Sequence, residues 1–167
     1  MDNTHKDKQE FFLQAYNENS DALFRHCYFR VSSREIALDL TQDTFMKTWE
    51  YVSKGHEVKN LRAFLFKVLG NAIIDHYRKH KTESLDLKID EGMQFESKGT
   101  DIEKESEVGM AVKAIQKLPD QYKDVIFMRY IDDLSPKEIA EILEEEENNI
   151  SVRIHRGVAK LKEILHI

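Results

Sequence analysis

The sequence predicts an all-α protein of two small helical domains joined by a flexible acidic linker. Three observations point there: apolar residues recur at steps of three and four in two long stretches, alternating β-branched runs are almost absent, and residues 82–107 lack helical periodicity while carrying a surplus of acid. The 167 residues suffice for one compact core or two small ones, and 41% hydrophobic with 34% charged residues is ordinary for a soluble chain.

Four helices are expected in the first stretch, residues 1–81. Phe11, Phe12, Ala15 and Tyr16 mark one, and Ser20 is a candidate cap for a second that carries Leu23 and Phe24. Ser32 and Glu35 form a candidate capping box ahead of Ile36, Leu40, Phe45, Trp49 and Val52. The cleanest pattern starts at Asn60, a candidate N-cap. Leu61, Phe64, Leu65, Val68, Leu69, Ala72, Ile73 and Tyr77 then fall on one wide face that must pack on other helices.

Residues 82–107 contain Gly92, Gly99, several Ser and Thr, and few large apolar residues, which reads as a linker. Helical spacing returns over 108–167. Met110, Ala111, Ala114, Ile115 and Leu118 stop at Pro119, and the pattern resumes with Tyr122, Val125, Ile126 and Tyr130. Ser135 and Glu138 make a capping box with Pro136 at the first helical position, followed by Ile139, Ala140, Ile142 and Leu143. A polar interruption, Glu144 to Asn149, separates this short helix from a last one carrying Ile150, Ile154, Val158, Leu161 and Leu165, and the pair reads as helix-turn-helix.

The net charge of −6 argues at first against a nucleic-acid partner, so its distribution matters. Residues 1–81 hold thirteen Lys and Arg against eleven acids, 82–107 three against nine, and 108–167 nine against eleven. The whole excess of acid equals that of the linker. No stretch approaches the roughly 20 apolar residues of a membrane-spanning helix and the first residues are polar, so a cytoplasmic protein is expected. The single Cys27 cannot form an internal disulfide; its spacing from Leu23, Phe24, Tyr28 and Val31 suits packing.

Opposite the apolar face of the Asn60 helix, Lys67, Asn71, Asp75, Arg78 and Lys79 form a polar stripe, with Arg62 near its start and His80 and Lys81 at its end. Cations on one exposed surface suit phosphates, Asn can bond a base edge, and Tyr77 can stack on an unpaired base. A merely solvated face would show the same stripe. The last helix carries Ser151, Arg153, His155, Arg156 and Lys160 off its core side, where a recognition helix meets a major groove. Four consecutive acids, Glu144 to Glu147, oppose phosphate contact at the turn. His76 and His80, one helical step of four apart, are spaced to share a zinc ion. No third ligand, phosphate loop or activated nucleophile accompanies them, so neither an enzyme nor a cofactor or metal is expected.

Three blocks resemble the sigma factors of bacterial RNA polymerase. Asp39-Leu40-Thr41-Gln42-Asp43-Thr44-Phe45-Met46-Lys47-Thr48-Trp49 resembles the segment that docks on the polymerase clamp, and Leu61 to Lys79 resembles the helix that melts and reads the minus-ten element. Leu118-Pro119, Leu134 to Leu143 and Arg153-Ile154-His155-Arg156 resemble the domain that binds the minus-thirty-five element. Two domains without further large ones are similar to the extracytoplasmic-function group of the sigma-70 family. The resemblance implies a sigma region 2 domain over 1–81 and a region 4 helix-turn-helix domain over 108–167. Asp39, Leu40, Gln42, Asp43, Phe45 and Trp49 would form or support the polymerase-binding surface, with Trp49 mostly core. Asn71, Asp75, Arg78 and Lys79 would face the melted non-template strand. Ser135, Lys137, Asn149, Arg153 and Arg156 would face the upstream duplex. It also implies a protein that is monomeric when free, and an anti-sigma protein as a further partner.

The family's turn has Gly where Glu144 stands and more basic character at Ser151 and Val152, so a differently shaped turn is expected here. The alternative reading is a stand-alone helix-turn-helix regulator that binds duplex DNA without polymerase.

Overall fold

A computed structural model describes residues 3–84 and 107–167, which are helices and short connections; among the described residues there is no strand. The chain divides into two compact units, Met1–Glu96 and Ser97–Ile167. The first holds α1 (Asn3–Val31), α2 (Arg34–Ser53) and α3 (Leu61–Ser84). The second holds α4 (Glu107–Gln116), α5 (Asp120–Tyr130), α6 (Pro136–Leu143) and α7 (Glu147–Leu165). The helix α3 runs three residues beyond 81, and α4 begins at 107; the intervening acidic segment lies outside the described residues.

In the first unit every helix packs on the other two. The expected break at Ser20 is absent, so three helices replace four, and α1 is continuous over 29 residues. The polar run around Ser20 stays helical because the buried Asn19 amide donates to the Ala15 carbonyl one turn back, at 2.8 Å. Ala15 and Leu23, two turns apart, are both buried. The cap of α2 is also one residue later than expected. Ser32 takes a left-handed φ of 53° and ends α1, while the Ser33 hydroxyl accepts from the Ile36 amide. Asn60 caps α3 as its sequence suggests, its side-chain oxygen accepting from the Ala63 amide at 3.0 Å.

His26 and Cys27 are buried where α1 meets its neighbours. The His26 ring meets the Phe66 ring edge-to-face at 5.1 Å, and Arg30 Nη1 lies 3.2 Å from His26 Nδ1. Burial pushes the Cys27 thiol up to about 12, the nearby Arg30 charge opposing it.

In the second unit α7 packs on α4, α5 and α6. Its contact with α5 depends on Gly157, where a Cβ would stand 2.7 Å from Ile126 Cγ1 and 3.3 Å from Tyr122 Cβ. The expected capping box of α6 is formed in both directions: Glu138 N donates to Ser135 Oγ at 3.1 Å, and Ser135 N to Glu138 Oε1 at 3.2 Å. The last helix begins at Glu147, three residues ahead of Ile150, so Asn148 and Asn149 belong to its first turn and not to the turn before it.

Candidate nucleic-acid interface

Faces of α2, α3 and α7, together with the start of α6, hold the polar residues singled out in the sequence. The buried side of α2 is centred on Ala37, Thr41, Thr44, Phe45 and Thr48. The apolar positions Ile36, Leu40, Trp49 and Val52 flank this strip half-buried. Each threonine hydroxyl donates to the carbonyl one turn back, at 2.7 to 2.8 Å, so three polar side chains are buried with their donors satisfied. Phe45 packs edge-to-face on Phe12 and tilted on Tyr16, and Trp49 lies against Phe12 with ring centroids 5.1 Å apart. Asp39, Gln42 and Asp43 are left exposed on the other side. Leu38 and Met46 are exposed beside them, at 42% and 62%. Neither is among the contact residues that the resemblance implies, although Met46 lies in the block from Asp39 to Trp49 and their spacing from Gln42 by four residues on either side puts them on one face.

On α3, Asn71, Asp75 and Arg78 are exposed at successive steps of four and three, with Lys67 half-buried one turn ahead of Asn71. Lys79 and Lys81 are exposed, and Arg62 is half-buried in the first turn. Ile74, 50% exposed, sits within this stripe; an isoleucine next to the apolar Ile73 gives no sign in the sequence of belonging to the polar face. Gly70 borders the stripe, and a Cβ there would meet nothing within 4 Å, so no packing demand accounts for a glycine in mid-helix. Tyr77 differs from the rest. Its hydroxyl donates to the Arg30 carbonyl near the end of α1, and burial raises its phenol above the ordinary value, with the Arg30 charge opposing. The His76 and His80 rings are 4.2 Å apart, and among the described residues no three metal-ligating side chains gather.

In the second unit, Glu144 ends α6 in the left-handed conformation, φ 56° and ψ 43°. The expectation of a differently shaped turn fails: the geometry that favours glycine is kept with glutamate, at a cost of about 1 kcal/mol. Two features hold it. The amides of Glu144 and Glu145 both donate to the Ala140 carbonyl. Arg153, on α7, donates from Nη1 to Glu145 Oε1 at 2.7 Å, and from Nε and Nη2 to the Gln121 carbonyl at 3.1 and 2.7 Å. One of the four acids is thereby neutralised by a charge-assisted bond. Glu147 stands in the first turn of α7, where the helix dipole favours it. Ser135 is fixed as the cap of α6, while Lys137, Asn149, Ser151 and Arg156 are exposed.

Each unit has counterparts among known proteins. Residues 15–83 match Sigma-70 region 2, and residues 109–161 match Sigma-70, region 4. The RNA polymerase sigma factor SigV of Bacillus subtilis (strain 168) is 28% identical over 87% of this chain and 85% of its own length. The ECF RNA polymerase sigma factor SigW of the same organism is 29% identical over 96% and 91%. Among solved structures, the sigma factor RpoE from Bartonella quintana, in complex with the anti-sigma factor NepR, covers 95% of this chain and 98% of its own, with a TM-score of 0.72 and 25% identity. Two ordered matches, one to each unit, and relatives aligned through both establish that the chain belongs to the sigma-70 family, in its extracytoplasmic-function group.

Proposed function

We propose that this chain is a promoter-specificity subunit, which binds the RNA polymerase core and directs promoter recognition and melting. The observation that carries this reading is the pairing, on one chain and in order, of a region 2 unit and a region 4 unit. A stand-alone helix-turn-helix regulator would need the second unit only, so the first argues against it.

The exposed side of α2, with Asp39, Gln42 and Asp43 beside Leu38 and Met46, is the polymerase-docking face; Phe45 and Trp49 stiffen it from beneath and Leu40 from the flank. The α3 stripe takes the non-template strand: Asn71 and Asp75 hydrogen-bond base edges, Arg78, Lys79, Lys81, Lys67 and Arg62 supply cations to phosphate, and Ile74 lies against an unstacked base. Tyr77 keeps α3 on α1. Ser135, Lys137 and the exposed side of α7 take the upstream duplex. No covalent bond is made or broken; the role is capture of bases as they unstack.

The function divides along the chain as 1–81, 82–107 and 108–167. The six excess acids of the middle segment imitate nucleic acid within the polymerase and keep the free subunit's own DNA affinity low. The work is cytoplasmic; among the described residues no helix is long and apolar enough to cross a membrane. The Bartonella relative was solved with an anti-sigma factor, and we take a partner of that class for this chain.

Reconstituted transcription tests the reading, with bacterial core polymerase, a random-promoter library, and the chain present or absent. Initiation that depends on the chain supports it. Asn71→Ala is expected to shift the selected minus-ten sequences, and Asp43→Ala to weaken core binding. Direct, polymerase-free binding to duplex with no initiation would establish the regulator instead.

A further inference from the structure

We propose that the upstream element is read by an outer face of α7 centred on the apolar Val152, with His155 and Arg156 beside it, and that Arg153 is a positioning residue that reads no base. This deepens the sigma-factor reading and rests on it. Val152 lies two residues from each of the buried Ile150 and Ile154, which at about 100° per residue turns it away from the core, and 39% of its surface is exposed. His155 and Arg156 are exposed on the same side. A small branched apolar group in a major groove finds its counterpart in the C5 methyl of thymine, and Arg156 offers paired donors to guanine or to phosphate. The exposed Glu146 and Glu147 at the start of α7 repel phosphate, which moves the reading surface toward Val152, His155 and Arg156.

Arg153 serves a different end. Its Nε and Nη2 converge on the Gln121 carbonyl and its Nη1 on Glu145, at 2.7 to 3.1 Å. Reaching a base edge would break three bonds and leave the Glu145 carboxylate facing the phosphates alone. In place, the guanidinium joins the first turn of α5, the turn before α7, and α7 itself, and so sets the depth and tilt at which Val152 meets the groove.

The test is reconstituted transcription by the full chain on promoters randomised in the upstream element, with folding of the second unit followed by hydrogen exchange. Val152→Ala is expected to reduce thymine preference at one position roughly threefold to tenfold and to leave the other positions unchanged. Arg153→Met is expected to flatten discrimination at all upstream positions together, at a temperature where the unit stays folded, and Arg153→Lys to restore part of it. A merely structural role for Arg153 would lower the amount of active protein and leave the ratios among sites unaltered. That result, a single-position change with Arg153→Met, or unchanged preference with Val152→Ala would overturn the proposal. Absence of initiation with the unaltered chain would overturn the sigma-factor reading itself, whereas the variant outcomes bear on α7 alone.

Discussion

Among the described residues, the first unit is built from helices of 29, 20 and 24 residues, the second from helices of 10, 11, 8 and 19. Length changes what must be specified. In the long-helix unit few ends need capping, and polar residues such as Asn19, Thr41, Thr44 and Thr48 are buried with their groups bonded to carbonyls of their own helix. Its candidate surfaces lie on mid-helix faces. In the short-helix unit almost every residue is within a turn or two of an end, so caps and turns carry the architecture, with the Ser135 box at the start of α6 and Arg153 tying α7 to the turn before it. Side-chain packing governs the first unit, and boundary geometry joins it in the second.

Leu23 is fully buried between long helices, and Leu23→Ala should destabilise the first unit by about 2–5 kcal/mol, read from the fluorescence of the single Trp49 during denaturant unfolding. Amide exchange over α5 should be unchanged. If protection in α5 falls by the same amount, the two units unfold as one.

A smaller effect is expected from Gly157→Ala in the second unit. The new methyl would overlap the buried Ile126 side chain, costing about 1–3 kcal/mol against the roughly 0.5–1 kcal/mol that alanine ordinarily adds to a helix. Adding Ile126→Val, which removes Cδ1, should recover part of the loss in thermal melting. A more stable Gly157→Ala variant would show that boundary geometry, and not the close α5–α7 approach, limits this unit.

The third effect is graded with pH and belongs to the first unit. Cys27 titrates near 9 when unfolded and near 12 when folded, so the unfolded state loses its proton first as pH rises. The stabilisation present below pH 9 should therefore fall between about 9 and 12, with a slope of at most about 1.4 kcal/mol per pH unit. Tyr77, also raised by burial, acts in the same direction. Cys27→Ala should lower stability at neutral pH yet flatten this slope in urea titrations monitored through Trp49. An unchanged slope would assign the alkaline sensitivity elsewhere.

The legibility of the sequence follows the same division. The Asn60 cap, the Ser135 box and the stop at Pro119 were readable because each is a local signal: the Asn60 and Ser135 side chains bond backbone amides three residues on, and the Pro119 ring restricts its own and the preceding backbone. The continuity of α1 was not, because Ser20 and its polar neighbours have the composition of a break and only tertiary burial of Ala15, Asn19 and Leu23 overrides it. The threonine strip of α2 was not readable for a related reason: buried threonines satisfied within their own helix are indistinguishable in sequence from exposed ones. The α3 stripe was legible from spacing alone, apart from Ile74. The engagement of Arg153 was invisible, since its main acceptor is a carbonyl 32 residues earlier.

That acceptor carries an evolutionary consequence. A backbone carbonyl is supplied by whatever residue occupies position 121, so substitutions there leave the anchor of α7 in place. The same anchor depends entirely on the side chain at 153, where only a guanidinium can reach both the carbonyl and Glu145 at once. Position 121 is thus free to drift while 153 is held, and an arginine beside the proposed DNA-reading face can be retained for reasons that have nothing to do with base recognition.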